Sequence, residues 1–136
     1  MRPIFFRLVN VCLAVLSVSP LTGHALMLDN IVLPAGFKIE VFAEDVPNAR
    51  QLALGPNGGV FVGSREAGVV YRVRDDDGDF FADRIETILS GLYMPSGIAF
   101  KDGTLYVAEV HQVTAYDEPM TGFGDELGGR VVFSDL

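Results

Sequence analysis

Three observations predict an all-β chain forming part of a β-propeller. Short apolar runs are punctuated by Gly, Asn and Asp, the same order of runs returns after about 45 residues, and no helical spacing of apolar residues follows Ala25. The pattern is plainest in Met94–Glu109, where Gly97–Phe100 and Thr104–Ala108 flank the turn Asp102-Gly103. It occurs earlier as Leu52–Leu54, Gly55–Gly59 and Val60–Gly63, so that Leu52 matches Ile98, Phe61 matches Tyr106 and Tyr71 matches Tyr116. The run feeding each copy repeats as well, in Val41–Val46, Thr87–Leu92 and Val132–Leu136. Roughly 40–50 residues holding four short strands is the size of one propeller blade. The expected architecture is about two four-stranded antiparallel blades, 37–89 and 90–133, with the start of a third at Val132.

Taken in order, the chain begins with Arg2 and Arg7, a nearly continuous apolar run Leu8–Val18, and small residues ending at Gly23-His24-Ala25. This is the layout of a secretory signal peptide, a signal helix over 1–25 that is too short for a convincing membrane span and is cleaved after Ala25. A periplasmic or secreted location follows, with no stable membrane span after cleavage. Residues 26–36 read as a linker ending in the turn Leu33–Gly36. Phe37–Ala43 alternates Phe37, Ile39 and Val41 with Lys38 and Glu40, the period of an outer strand with one buried face. Leu52–Leu54, Val60–Gly63, Val69–Arg74 and Arg84–Leu89 complete blade one, and the turn after Leu54 draws positive φ from Gly55, Gly58 or Gly59. Gly97–Phe100, Thr104–Ala108 and Gln112–Tyr116 repeat the order, followed by a loop from Asp117 to Gly129.

Two blades and a strand do not close a ring that takes four to eight. The remaining blades are expected from a longer polypeptide, pairing of the open edges with another chain being the alternative. The formal net charge of −8 becomes more acidic still once Arg2 and Arg7 leave with the signal. Such a chain is a poor nucleic-acid partner and is better suited to a small neutral substrate and a hard cation. The single cysteine, Cys12, lies in the signal, which excludes a disulfide-stapled or thiol-redox protein. With no Ser-His-Asp set, phosphate-cradling glycine loop or Cys/His cluster, hydrolase, nucleotide-binding and zinc readings have no support.

Asp75–Glu86 carries the most specific local pattern. With Asp75 as position 1, carboxylates fall at 1, 3, 5 and 9 (Asp75, Asp77, Asp79, Asp83) and Glu86 at 12, the oxygen-ligand spacing of an EF-hand-type calcium loop. Phe80 stands where that loop turns on glycine, and strands rather than helices flank it, so a solvated acidic hairpin tip fits the same residues.

A meander alternates its loops between the two ends of a sheet. The connections 45–51, 64–68, 90–96 and 109–112 share one end, and the acidic loop lies at the other. Propeller ligands sit at the mouth of the central channel, which makes Arg50, Gln51, Arg65, Glu66, Ser96, Glu109 and His111 the candidate mouth residues. His111 is the only histidine after the signal; Glu109, two residues earlier on a strand, would point the same way as a partner for a general base, and the simpler alternative is an exposed loop histidine. Arg65-Glu66 reads as a surface ion pair, and an arginine at a channel mouth could also hold a carboxylate.

Leu33–Ile39, Leu54–Gly58, Val60–Gly63, Asp75–Asp83, Gly91–Phe100 and Leu105–Glu109, in that order, resemble the N-terminal part of sorbosone dehydrogenase-like proteins, in the soluble glucose/sorbosone dehydrogenase family of six-bladed quinoprotein propellers. The resemblance implies an exported oxidoreductase that oxidises a sugar or polyol-derived carbonyl with pyrroloquinoline quinone at the channel mouth, calcium assisting. The family's histidine base is expected in the blade beginning at Val132, beyond Leu136, so no catalytic residue is carried over and the chain alone is expected to be inactive. A non-catalytic propeller that binds a protein or solute is the alternative. A propeller lactonase would need an acidic metal site in the channel, and none is visible.

Overall fold

The computed structural model describes residues 28–117, 119 and 128–136; the expected signal peptide and most of the loop from Asp117 to Gly129 lie outside them. Two compact units divide the chain, Met1–Lys38 and Ile39–Leu136. Among the described residues of the first, a 3-10 turn spans Leu28–Asn30, and the expected turn at Leu33–Gly36 forms: Phe37 N donates to Pro34 O at 3.2 Å, with Gly36 at φ +88°. Among the described residues, no helix is long and apolar enough to cross a membrane.

The second unit consists of two antiparallel sheets. β1 (Ala49–Leu54), β2 (Val60–Ser64), β3 (Val70–Arg74) and β4 (Arg84–Leu89) pair in that order, and so do β5 (Gly97–Lys101), β6 (Thr104–Ala108), β7 (Gln112–Asp117) and β8 (Arg130–Ser134). The β5–β6 hairpin closes in two residues because Asp102 and Gly103 both take positive φ, +50° and +83°, the twist a tight hairpin requires. Between β1 and β2 the positive φ falls on Asn57 and Gly58; Gly55 and Gly59 stay extended.

Two expectations need correction. Val132–Leu136 does not begin a third blade: Val131 and Phe133 pair with Thr114 and Val113, making β8 the fourth strand of the second sheet. Nor is Phe37–Ala43 a strand. Its alternation is real, but no neighbouring strand among the described residues offers it a ladder.

Phe61, Val70, Ile88 and Leu89 from the first sheet and Ile98, Leu105, Val107 and Tyr116 from the second bury one shared core. The rings of Phe61 and Phe100 meet at 5.4 Å across it. Gly63 permits the approach, since a Cβ there would stand 2.6 Å from Ile98 Cγ1 and 2.7 Å from the Pro95 carbonyl. Arg72, on the same side of β3 as Val70, is buried, with Nε 2.9 Å from Glu86 Oε2 and Nη1 donating to Pro119 O at 3.1 Å. A charge in that position is tolerable only because both ends of the guanidinium are engaged.

The opposite face of the first sheet carries Val62, Tyr71 and Val73, against which Phe42, Ala43 and Val46 pack. Leu52 and Leu54 lie on that face, 64% and 78% exposed, while Ile98, which matches Leu52, is 4% exposed. In a stack of like sheets, each sheet meets the previous one with one face and the next with the other. Matched residues therefore keep their place on their own sheet and change only in what covers them, as consecutive propeller blades require. The fold is all-β, two four-stranded blades of a partial β-propeller.

Candidate functional site

The antiparallel order brings the β2–β3 and β6–β7 connections and the segments before β1 and β5 to one end, as expected. Backbone bonds tie them together: Arg65 N to Asn48 O at 3.3 Å, Leu92 N to Gly68 O at 3.0 Å and Val110 N to Tyr93 O at 3.3 Å. Arg50, Arg65 and Glu66 are exposed here and Ser96 is half-buried. Arg65 and Glu66 form no ion pair with each other, and among the described residues neither Arg50 nor Arg65 has a carboxylate partner. Gln51 is spent on blade packing, its Nε2 donating to Ile98 O at 3.5 Å.

Glu109 and His111 do not act as a pair. β6 stops at Ala108, so strand alternation does not extend to Glu109, whose side chain is buried. Its Oε2 accepts the Tyr93 amide and its Oε1 accepts Gln112 Nε2 at 2.8 Å, so the carboxylate clamps the 90–96 segment onto the β6–β7 connection. His111 is exposed and stacks obliquely on Tyr93, ring centres 5.9 Å apart. A cavity of about 540 Å³ opens beside them, lined by Tyr93, Glu109, His111, Gln112, Thr114 and Tyr116 among others. Burial pushes the Tyr116 hydroxyl above its ordinary value, and the Glu109 carboxylate adds to the effect.

At the other end the 75–83 loop wraps on its own carboxylates. Asp75 accepts the amides of Gly78 at 2.6 Å and Phe80 at 2.9 Å, Asp83 accepts that of Asp76 at 2.7 Å, and Asp79 accepts that of Phe81 at 2.8 Å. The Gly78 amide, foremost among these, holds the Asp75 carboxyl below its ordinary range, against a smaller opposing effect of burial. One oxygen each from Asp75, Asp77 and Asp83 lies within 4.8 Å of the others, a set able to hold a hard cation. Asp79 and Glu86 stand outside this group. Glu86 sits on β4, where Arg72 takes its Oε2 at 2.9 Å and Arg74 lies 3.9 Å away. Phe80, at the loop's glycine position, nonetheless adopts φ +69°.

Sequence reasoning missed Arg72 and Tyr93. Arg72 was accessible from the alternation Val70-Tyr71-Arg72-Val73, which places a charge on a core-facing strand position. Tyr93 carried no local signal, because its role depends on the fold bringing Glu109 and His111 to it.

No protein-family model matches the chain, and no curated protein matches it. Among solved structures it is similar to the PQQ-bound form of aldose sugar dehydrogenase from Streptomyces coelicolor, at 22% identity and a TM-score of 0.54. The match covers 72% of this chain and 33% of that one, so the chain spans about a third of the length of the structure it resembles. The likeness is one of fold.

Proposed function

We propose that the chain contributes two blades to an exported propeller quinoprotein that oxidises an aldose or another sugar-derived carbonyl with pyrroloquinoline quinone. The observation that carries this reading is the shared fold with a PQQ-bound aldose sugar dehydrogenase, joined to the family resemblance of Gly91–Phe100 and Leu105–Glu109. The mouth end fits the cofactor's chemistry: it offers Arg50 and Arg65 as exposed cations with no carboxylate partner among the described residues, and the quinone carries carboxylates. When bound, the quinone is the hydride acceptor. Arg50 and Arg65 would hold its carboxylates, and the Glu109 clamp fixes the 90–96 segment to the β6–β7 connection at the same end. The histidine base that the family resemblance implies would come from another blade, and this chain alone is then expected to turn over no sugar. Calcium at Asp75, Asp77 and Asp83 would brace the far end of the first blade rather than join the chemistry. The leader of residues 1–25 delivers the protein to the periplasm or the exterior.

The test is dye-linked aldose oxidation, with and without the quinone, by the chain and by a complete propeller that contains it. Quinone-dependent turnover is expected of the complete propeller and not of the chain. Turnover by the chain alone would overturn the assignment of the base to another blade, and a complete propeller that neither binds the quinone nor oxidises an aldose would favour a non-catalytic binding module.

A further inference from the structure

The repeat supplies its own control for the cavity beside Glu109. With Tyr71 matched to Tyr116, Ser64 matches Glu109 and Val69 matches Thr114; with Leu52 matched to Ile98, Pro47 matches Tyr93. In the first blade these positions satisfy one another. Ser64 Oγ donates to Val69 O at 2.6 Å and accepts the Val69 amide at 2.9 Å, while the Tyr71 hydroxyl donates to Pro47 O at 3.4 Å. In the second blade a carboxylate replaces the serine and a hydroxyl replaces the valine, and the polar neighbours of the Tyr116 hydroxyl are Glu109 and Thr114. The cavity of about 540 Å³ that stands there is within the roughly 300–1,000 Å³ of small-molecule sites.

Two groups in this cavity lack a partner. Thr114 is 4% exposed and its Oγ1 has no hydrogen-bond partner among the described residues, the Tyr116 hydroxyl lying near it but outside bonding geometry. A buried hydroxyl left unmet is costly, and Val69 shows that the fold does not need one at this position. Glu109 is 8% exposed and forms no ion pair among the described residues, its oxygens meeting only the Tyr93 amide and Gln112 Nε2. A buried carboxylate is ordinarily answered by a cation, and each of its oxygens can still accept one more donor. No lysine or arginine is among the described residues that line the cavity, so an anion would be repelled there. We propose that this cavity binds a primary organic ammonium. Its three N–H bonds are met by Glu109, Thr114 Oγ1 and the Tyr116 hydroxyl, and its carbon body lies among Leu92, Val131 and Tyr93. The inference rests on the second sheet and the 90–96 segment, and not on the quinone chemistry: Arg50 and Arg65 suit an anion, this cavity a cation.

The probe is cyclohexylamine, charged at neutral pH, with cyclohexanol and cyclohexanecarboxylate as neutral and anionic molecules of the same body. Each is titrated into the full chain while the Tyr93 amide and the Thr114 methyl are followed by nuclear magnetic resonance. The ammonium should shift both signals saturably, cyclohexanol should bind at least about tenfold more weakly, and the carboxylate should leave both unmoved. Thr114→Val, which keeps the side chain's shape, should weaken the ammonium by about tenfold. Glu109→Gln should abolish its binding while the Tyr93 amide keeps its hydrogen-exchange protection, because glutamine still offers that amide an oxygen; a carboxylate with a merely structural role would show no change in binding. If Glu109→Gln does not fold, Thr114→Val and the ratio of ammonium to cyclohexanol on the unmodified chain decide. The proposal fails if the ammonium does not bind the unmodified chain, if cyclohexanol binds as tightly, or if Thr114→Val binds unchanged. It fails equally if the shifts fall on Gly78 and Phe80 instead, because the amine is then only a counterion of the acidic loop. Quinone-dependent turnover by the complete propeller is read separately and is untouched by any of these failures.

Discussion

Truncating Leu52 and Ile98 to alanine offers a comparison in which the chemistry is matched and only the covering differs. The two residues occupy the same place in successive copies of the repeat. Ile98 is 4% exposed in the core shared by the sheets, and Leu52 is 64% exposed on the face turned away from it. A buried isoleucine cut to alanine costs about 2–5 kcal/mol, part of it from the cavity left behind. Leu52 has only about a third of its surface withdrawn from water, so the same arithmetic leaves about 1 kcal/mol, with little cavity term. Urea unfolding of the full chain reads both. With a slope of about 2 kcal/mol per molar, usual for small domains, the Ile98→Ala midpoint should fall by roughly 1–2.5 M and that of Leu52→Ala by about 0.5 M. Equal losses, or a larger loss at Leu52, would refute the claim that one blade face is covered and its counterpart open.

Four further outcomes follow from the same packing. Gly63→Ala should destabilise by about 1–3 kcal/mol in thermal unfolding, because the new methyl meets Ile98 and the Pro95 carbonyl at under 3 Å. Arg72→Ala should cost about 3–5 kcal/mol by the same measurement, since it leaves Glu86 without its closest cation and the Pro119 carbonyl without a donor. Asp75 should titrate below an ordinary aspartate in carboxyl carbon spectra. Because its folded value is lowered, the order it gives the loop is complete above the ordinary value and is lost as pH falls through the lower one, with the Gly78 and Phe80 amide shifts moving on the same curve. Calcium titration watched at those amides should show saturable binding that Asp77→Asn weakens and Phe80→Gly strengthens, since glycine removes the strain of φ +69°; a loop indifferent to calcium would make it a solvated hairpin tip.

Much of the fold was legible because it is local. Val60–Gly63, Arg84–Leu89 and the Asp102-Gly103 hairpin announce themselves by alternation and turn chemistry, and the repeat fixes which end of the sheet each loop reaches. What escaped depends on neighbours that periodicity does not name. Phe37–Ala43 has a strand's pattern without a strand's partner, and Val132–Phe133 reads as a beginning although β7 makes it an end. The site shows the same division. Asp75, Asp77 and Asp83 each bring an oxygen within 4.8 Å of the others, whereas Glu86 is claimed by Arg72 on a buried strand face. Glu109 is drawn away from His111 by Tyr93, a contact that exists only once the 90–96 segment has folded back.

Methyl and aromatic nuclear Overhauser contacts in the full chain test the blade arrangement most directly. Cross-peaks are expected from Ile98 to Phe61 and from Leu52 and Leu54 to Val60 or Phe42, with none from the Leu52 or Leu54 methyls to β6 or β7. Contacts from Leu52 or Leu54 into β6 or β7 would mean that the sheets close on each other as a sandwich, and would contradict the blade arrangement.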